Sequence, residues 1–258
     1  MSRSGCLLYV VLGAILSAGG CADDAEHGCT RGVYTGHVTI SDKAELASYE
    51  GYTGVTGNLT ITCPNCEAVE ELACLTSVGG DVVVSENGAL ASLDLGILFH
   101  VGGSFNLHQN PSLTMVDLDR LLEIGAWVAV RDNDGLAELK ANDLREIGGD
   151  VTISDNDLLE TLELGATGKI LGDLTIDSNA ALGDLDGLWG LTSLGGALDV
   201  SYNGSLPFCE VCRLIGQLPG FAGEIASVAN EADPCWTGSS LDCTLLPVDG
   251  SMLGSERR

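Results

Sequence analysis

Apolar side chains recur two by two along this chain, and each pair is followed at a fixed distance by an asparagine. The clearest copies are 78–90, VGGDVVVSENGAL, and 147–159, IGGDVTISDNDLL. Anchored on the second glycine of each copy, the unit begins at Gly57, Gly80, Gly103, Ala126, Gly149, Gly172 and Gly196. The steps are 23 residues throughout except the last, which is 24. A constant period of this size predicts a solenoid, in which no single unit can bury its own apolar face.

Within the unit, apolar residues stand two and four places after the anchor, as Val82 and Val84 or Val151 and Ile153 do, with polar residues between them. That alternation predicts a half-buried strand. The paired glycines mark a corner between segments. Seven places after the anchor comes Asn87, Asn110, Asn133, Asn156, Asn179 or Asn203. An amide carries two donors and an acceptor, so a column of them can satisfy turn backbone and bond its neighbours in adjacent coils. Three places further a leucine (Leu90, Leu113, Leu136, Leu159, Leu182, Leu206) turns inward. The expected fold is all-β: a right-handed parallel β-solenoid of about eight coils of 21–24 residues with cysteine-rich caps. His37 to Ser41 fits the strand template as an atypical first coil. Apolar residues at helical spacing over 206–218 predict a short C-terminal capping helix, and 221–228 a degenerate last strand.

The unit, Φ-Gly-Gly-x-Φ-x-Φ-x-x-Asn-x-x-Leu-x-x-Leu, resembles the receptor L-domain repeat, a leucine-rich-repeat-like β-helix. Such repeats occur in insulin and epidermal growth factor receptor ectodomains and in secreted bacterial lipoproteins. The resemblance covers residues 57–206 and implies a right-handed solenoid with a binding role and no catalysis.

The ends of the chain are organised differently. Residues 1–20 read as a signal peptide: Arg3, then an apolar run from Leu7 to Leu16, then Ser17-Ala18-Gly19-Gly20 ahead of Cys21. The arrangement resembles a bacterial lipobox with Ala18 in place of the usual leucine, so Cys21 is the expected lipidated residue. Residues 21–33 then form a tether, 34–230 the solenoid, and 231–258 a cysteine-containing cap and tail. Cys29, Cys63, Cys66 and Cys74 gather at one end; Cys209, Cys212, Cys235 and Cys243 gather at the other. In an exported chain these are disulfide candidates whose connectivity the sequence leaves open. The expected location is the bacterial cell envelope, as an outer-membrane lipoprotein or at the cell surface.

Charge narrows the partners. With 37 acidic and 11 basic residues, a net charge of −26, the chain lacks the basic footprint of a nucleic-acid binder. An envelope or extracellular protein or a glycan is expected instead. No cofactor or metal is expected. Asp132-Asn133-Asp134-Gly135 and Asp155-Asn156-Asp157 look like calcium loops in isolation, but both lack the remaining loop ligands. Gly165 to Ile170 lacks the glycine spacing of a phosphate loop and the hydroxyl that holds magnesium.

The outward strand positions are mostly small and polar, with acids at Asp81, Asp150, Asp173, Asp177 and Asp199. Trp127 breaks that pattern, with Arg131 and His108 in its neighbourhood, which is the composition of a binding hot spot. The competing account has Trp127 packed under a loop, with Ala126 making room. The functional expectation is a membrane-anchored, non-catalytic binding scaffold. The alternatives are a polysaccharide lyase or hydrolase using the outward acids, or a structural envelope protein.

Overall fold

The computed structural model describes residues 28–165 and 167–230. Cys21 and the signal segment, Cys235, Cys243 and the tail beyond residue 230 lie outside the described residues.

The chain winds through three parallel sheets instead of the single one that the strand pattern announces. The largest has nine strands, in order Val38–Ile40, Leu59–Ile61, Val82–Ser85, Phe105–His108, Val128–Arg131, Val151–Ser154, Leu174–Asp177, Leu198–Ser201 and Ile225–Ala226. An eight-stranded sheet runs from Gly32–Tyr34 through two-residue strands such as Glu123–Ile124 to Ser193–Leu194. A four-stranded sheet, Ser92–Asp94, Met115–Asp117, Glu138–Lys140 and Thr161–Glu163, covers the third side of the middle coils. The fold is thus all-β dominated and solenoid-like. Register between coils is constant, so Phe105, Val128, Val151 and Leu174 fall into one column and Leu107, Val130, Ile153 and Ile176 into the next. These columns are buried, and with leucines such as Leu90, Leu113 and Leu136 they form one continuous core.

Stacking distance dictates the first glycine of each corner. A Cβ on Gly102, Gly125 or Gly148 would overlap the carbonyl oxygen of the residue one coil earlier. None of these glycines has positive φ. They are required by the close approach of parallel backbones, not by an unusual turn conformation.

The opposite corner carries the strain. The residue before each ladder asparagine is left-handed: Glu86, Gln109, Asp132, Asp155, Ser178, Tyr202 and Ala229 have φ between 54° and 58°. For a residue with a Cβ this costs about 1–2 kcal/mol. The asparagines hold the corner there. The six from Asn87 to Asn203 are fully buried. Asn156 donates from Nδ2 to Val130 O at 3.0 Å and to its own coil's Ser154 O at 2.9 Å. Its Nδ2 and its backbone N–H both approach Asn179 Oδ1, at 3.1 and 3.3 Å. From Asn110 onward each side chain therefore receives two donors from the coil before it and returns bonds to the backbone. The calcium-like Asp132 and Asp155 are simply the strained residues of this corner.

The ladder runs further than its sequence pattern. Asn230 Oδ1 accepts from Asn203 N at 2.9 Å, and its Nδ2 reaches Val200 O at 2.7 Å, which adds a rung after 27 residues instead of 23. At the other end Cys63 N donates to Asn87 Oδ1 at 2.6 Å. The first coil has no rung because its chain enters a helix, α1 (Lys43–Ser48), at that place. Asp42 Oδ1 caps it through the N–H groups of Ala44 and Glu45, and Glu45 reaches back to Ser41 N.

Disulfides fasten the N-terminal coils, Cys29 to Cys74 and Cys63 to Cys66. Cys209 and Cys212 are also disulfide-bonded. They lie on a second helix, α2 (Phe208–Gly216), within the 206–218 segment that its apolar spacing singles out. Val211 and Leu214 enter the core. Gln217 Nε2 donates to Leu188 O at 2.8 Å, and the Arg213 guanidinium lies 4.8 Å from the Trp189 ring centre.

Two outcomes test this account. Asn156→Ala should lower stability by about 1–3 kcal/mol in denaturant unfolding, because it strands the buried backbone groups of two coils. Gly148→Ala should be destabilising by a comparable amount through the clash with Gly125 O, whereas Gly204→Ala, with nothing within 4 Å of its new Cβ, should stay near wild type. Equal midpoints for the two glycine variants would contradict the stacking explanation.

Candidate functional site: the outward face of the nine-stranded sheet

The outward residues of the nine-stranded sheet form three columns. In the first, one place after the anchor, stand His37, Asn58, Asp81, Ser104, Trp127, Asp150, Asp173 and Ala197. Most of these are committed to the backbone. His37 Nδ1 accepts from Asn58 N at 3.0 Å, Asn58 Oδ1 from Asp81 N at 3.0 Å, and Asp81 Oδ1 from Ser104 N at 2.8 Å. After an interruption the series resumes, with Asp150 Oδ1 accepting from Asp173 N at 2.9 Å and Asp173 Oδ1 from Ala197 N at 2.6 Å. Sequence reasoning placed Asp81, Asp150 and Asp173 on this face as an acidic surface. The geometry makes them a second ladder, spending one carboxylate oxygen each on the next coil.

That ladder also explains the second glycine of the corner. A Cβ on Gly80, Gly103, Gly172 or Gly196 would occupy the space of the accepting oxygen of Asn58, Asp81, Asp150 or Asp173. Ala126 is the exception, and it follows Ser104, whose shorter side chain makes no such bond to Trp127 N. At Gly149, which follows Trp127, a Cβ would meet nothing closer than 3.2 Å. Trp127 has no acceptor atom to offer. Ala126 is thus tolerated because of Ser104 beside it, and it need not make room for the indole.

The interruption coincides with the departure in chemistry. Trp127 is 43% exposed, so its ring is not packed under a loop. Arg131 is exposed too, and pairs in register with His108 on one side and Ser154 on the other. Register also sets Ala129 against Asn106, and Phe105 N donates to Trp127 O at 3.0 Å just before the strand. Trp127 stands just before the strand Val128–Arg131 and Arg131 at its far end, about 13 Å apart along the extended chain. The structure therefore joins Arg131 to His108 directly and sets Trp127 at a distance, with Ala129 between. Ala129 is only 8% exposed despite pointing outward, and Asn106 Oδ1 is sealed from water with no hydrogen-bond partner. The orphaned Asn106 acceptor was not legible from sequence.

Other faces are more self-contained. On the four-stranded sheet Lys140 lies between Asp117 and Glu163 in register and bonds Glu138 at 2.6 Å, and that hydrogen bond raises its pKa. On the eight-stranded sheet His100 approaches Glu123 at 3.9 Å and Lys169 approaches Glu146 at 3.8 Å. Near the N-terminal end Arg31 sits 4.0 Å over the Tyr52 ring beside Tyr34 and Tyr49, and burial pushes the Tyr49 phenol up. Among the described residues no group of three or more His, Cys, Asp or Glu side chains is arranged to hold a metal ion, and no helix is long and apolar enough to cross a membrane. The disulfides place the folded chain in an oxidising, extracellular type of compartment.

No family model, no curated protein and no solved structure matches the chain.

The coupling between Ser104 and Ala126 is testable by a double-mutant cycle. Ser104→Asp alone should destabilise by about 1–3 kcal/mol, since its carboxylate would overlap the Ala126 methyl. Adding Ala126→Gly should recover most of that loss by opening the place for the carboxylate to accept from Trp127 N. Additive effects of the two substitutions in thermal and denaturant unfolding would show that the two sites are not linked.

Proposed function

We propose that the protein is an exported, lipid-anchored scaffold that binds an envelope or extracellular partner through the outward face of its nine-stranded sheet. The reading rests on one observation above the others. This face is a continuous surface of columns at fixed spacing, and its otherwise regular ladder gives way at Ser104 and Trp127, where an exposed indole takes the place of a structural acceptor. A large aromatic that contributes nothing to coil stacking, near an arginine, has the composition of a recognition surface. In this reading the fold is of the receptor L-domain type, a right-handed solenoid of about eight coils. The disulfides of the first coils and the α2 helix serve as its end caps, covering strand edges that would otherwise pair with other chains. Cys21 carries the lipid, and the residues between it and the Cys29–Cys74 disulfide space the solenoid from the bilayer, since Arg31 and the strand Gly32–Tyr34 already belong to the folded body.

A polysaccharide-cleaving activity is the less supported reading. It would need a pair of outward carboxylates free to exchange protons with substrate. Asp81, Asp150 and Asp173 are instead occupied with backbone N–H groups of the next coil, and Asp177 and Asp199 accept from the hydroxyls of Ser178 and Ser201.

Two measurements address this proposal. A photo-crosslinker installed at Thr152, in the middle column beside Ala129, should capture a partner in intact cells, while one at Glu123 on the eight-stranded sheet should not. Identical products from both positions, or none from either, would overturn the assignment of the face. Cys21→Ser should move the protein from the detergent phase to the aqueous phase or leave it as a longer precursor; unchanged partitioning would remove the lipid anchor from the reading.

A further inference from the structure

The patch around Trp127 has a chemistry that narrows the partner of the proposed binding face. In the outward columns of the sheet the exposed ring of Trp127 is the one large apolar side chain among polar and small residues, unlike the apolar centre of a protein interface. Ala129 beside it is 8% exposed, so the strip between Trp127 and Arg131 carries no bulky side chain of its own. Around Ala129 are Asn106, Thr152, Arg131 and His108, whose side chains are amide, hydroxyl, guanidinium and imidazole. Trp127 and Arg131 are separated by about four strand residues, roughly 13 Å, which is longer than a single sugar ring and matches a short chain of them laid along the strand. An indole gives the C–H face of a pyranose a flat apolar surface, and the polar rim suits its hydroxyls.

We infer that the Trp127–Ala129–Arg131 strip binds a neutral oligosaccharide, with one sugar ring on the indole and further units running over Ala129 toward Arg131 and His108. The inference rests on the proposal that this face is the binding surface. Charge selects neutral over acidic glycans. The whole chain carries −26, and Asp150 beside Trp127 in the first column and Asp132 next to Arg131 bring that charge to the patch itself. A polyanion would approach against this field with one arginine to receive it. Asn106 adds a second, independent indication. Its Oδ1 is sealed from water without a partner, an arrangement that costs about 1–3 kcal/mol. A hydroxyl donor arriving over Ala129, met by a turn of the amide, would relieve it.

The test is a titration of the full-length protein with short neutral oligomers of glucose, mannose and N-acetylglucosamine, and in parallel with hexuronate oligomers, followed by calorimetry. Binding of at least one neutral oligomer is expected, with affinity nearly independent of salt. Trp127→Ala should weaken it about tenfold or more, and Trp127→Phe, which keeps a ring, should weaken it less. Wild-type thermal midpoints for both variants separate lost contact from lost folding. Preference for hexuronates overturns the charge argument, and undiminished binding by Trp127→Ala overturns the site. No binding of any sugar up to millimolar concentration overturns the inference. If that null result comes with specific protein capture from Thr152, the binding face stands and only its ligand class is wrong; if Thr152 captures nothing either, both fail.

Discussion

The fold depends on buried amides that cannot be satisfied within their own coil. Each ladder asparagine from Asn87 to Asn203 sits at zero exposure, gives its N–H bonds to carbonyls and receives donors from the preceding coil. A single coil would leave those groups stranded, at about 1–3 kcal/mol for each unmet partner. The same stacking offsets the left-handed residue before every asparagine, which a free loop would abandon. Local strain and long-range bonding are therefore two sides of one corner, and neither persists without the other.

A second set of bonds runs along the face, and it gives the surface a division of labour. His37, Asn58, Asp81, Asp150 and Asp173 look like ligand-binding side chains in a sequence, yet they spend acceptors on backbone. The stretch where this stops is the stretch with the exposed indole. Stacking thus claims most of this column, and the place where it yields is the place proposed for binding.

What could be read from the chain follows from how each feature is encoded. The nine-stranded sheet, the ladder from Asn87 to Asn203 and the inward leucines were legible because their residues are chemically distinctive and strictly periodic. The other two sheets were not, since strands as short as Glu123–Ile124 or Glu146–Ile147 have no alternation to detect. Asn230 escaped because its step is 27 residues and its coil shares little else with the repeat. The meaning of the paired glycines was only half visible. Their positions were plain, but the reason, an oxygen from the coil before, exists only once coils are stacked. Trp127 stood out by composition, while the silent neighbours that define its surroundings, Ser104, Asn106 and Ala129, carry no sequence signal of their own.

The interface between one coil and the next is nearly the same from Gly80 to Gly196, with matching register, glycines and amide rungs. Such a chain can lengthen by in-register duplication of about one period without redesigning any contact. The extent of its sheet face is then a quantity that gene duplication can adjust. Ser104 and Ala126 limit that freedom, because they are matched to each other across a coil boundary. A rearrangement that set Ala126 behind an aspartate coil would drive its methyl into a carboxylate oxygen, so the coil that carries the indole can follow only a coil whose residue in that column is short or lacks an acceptor, as Ser104 and Trp127 do.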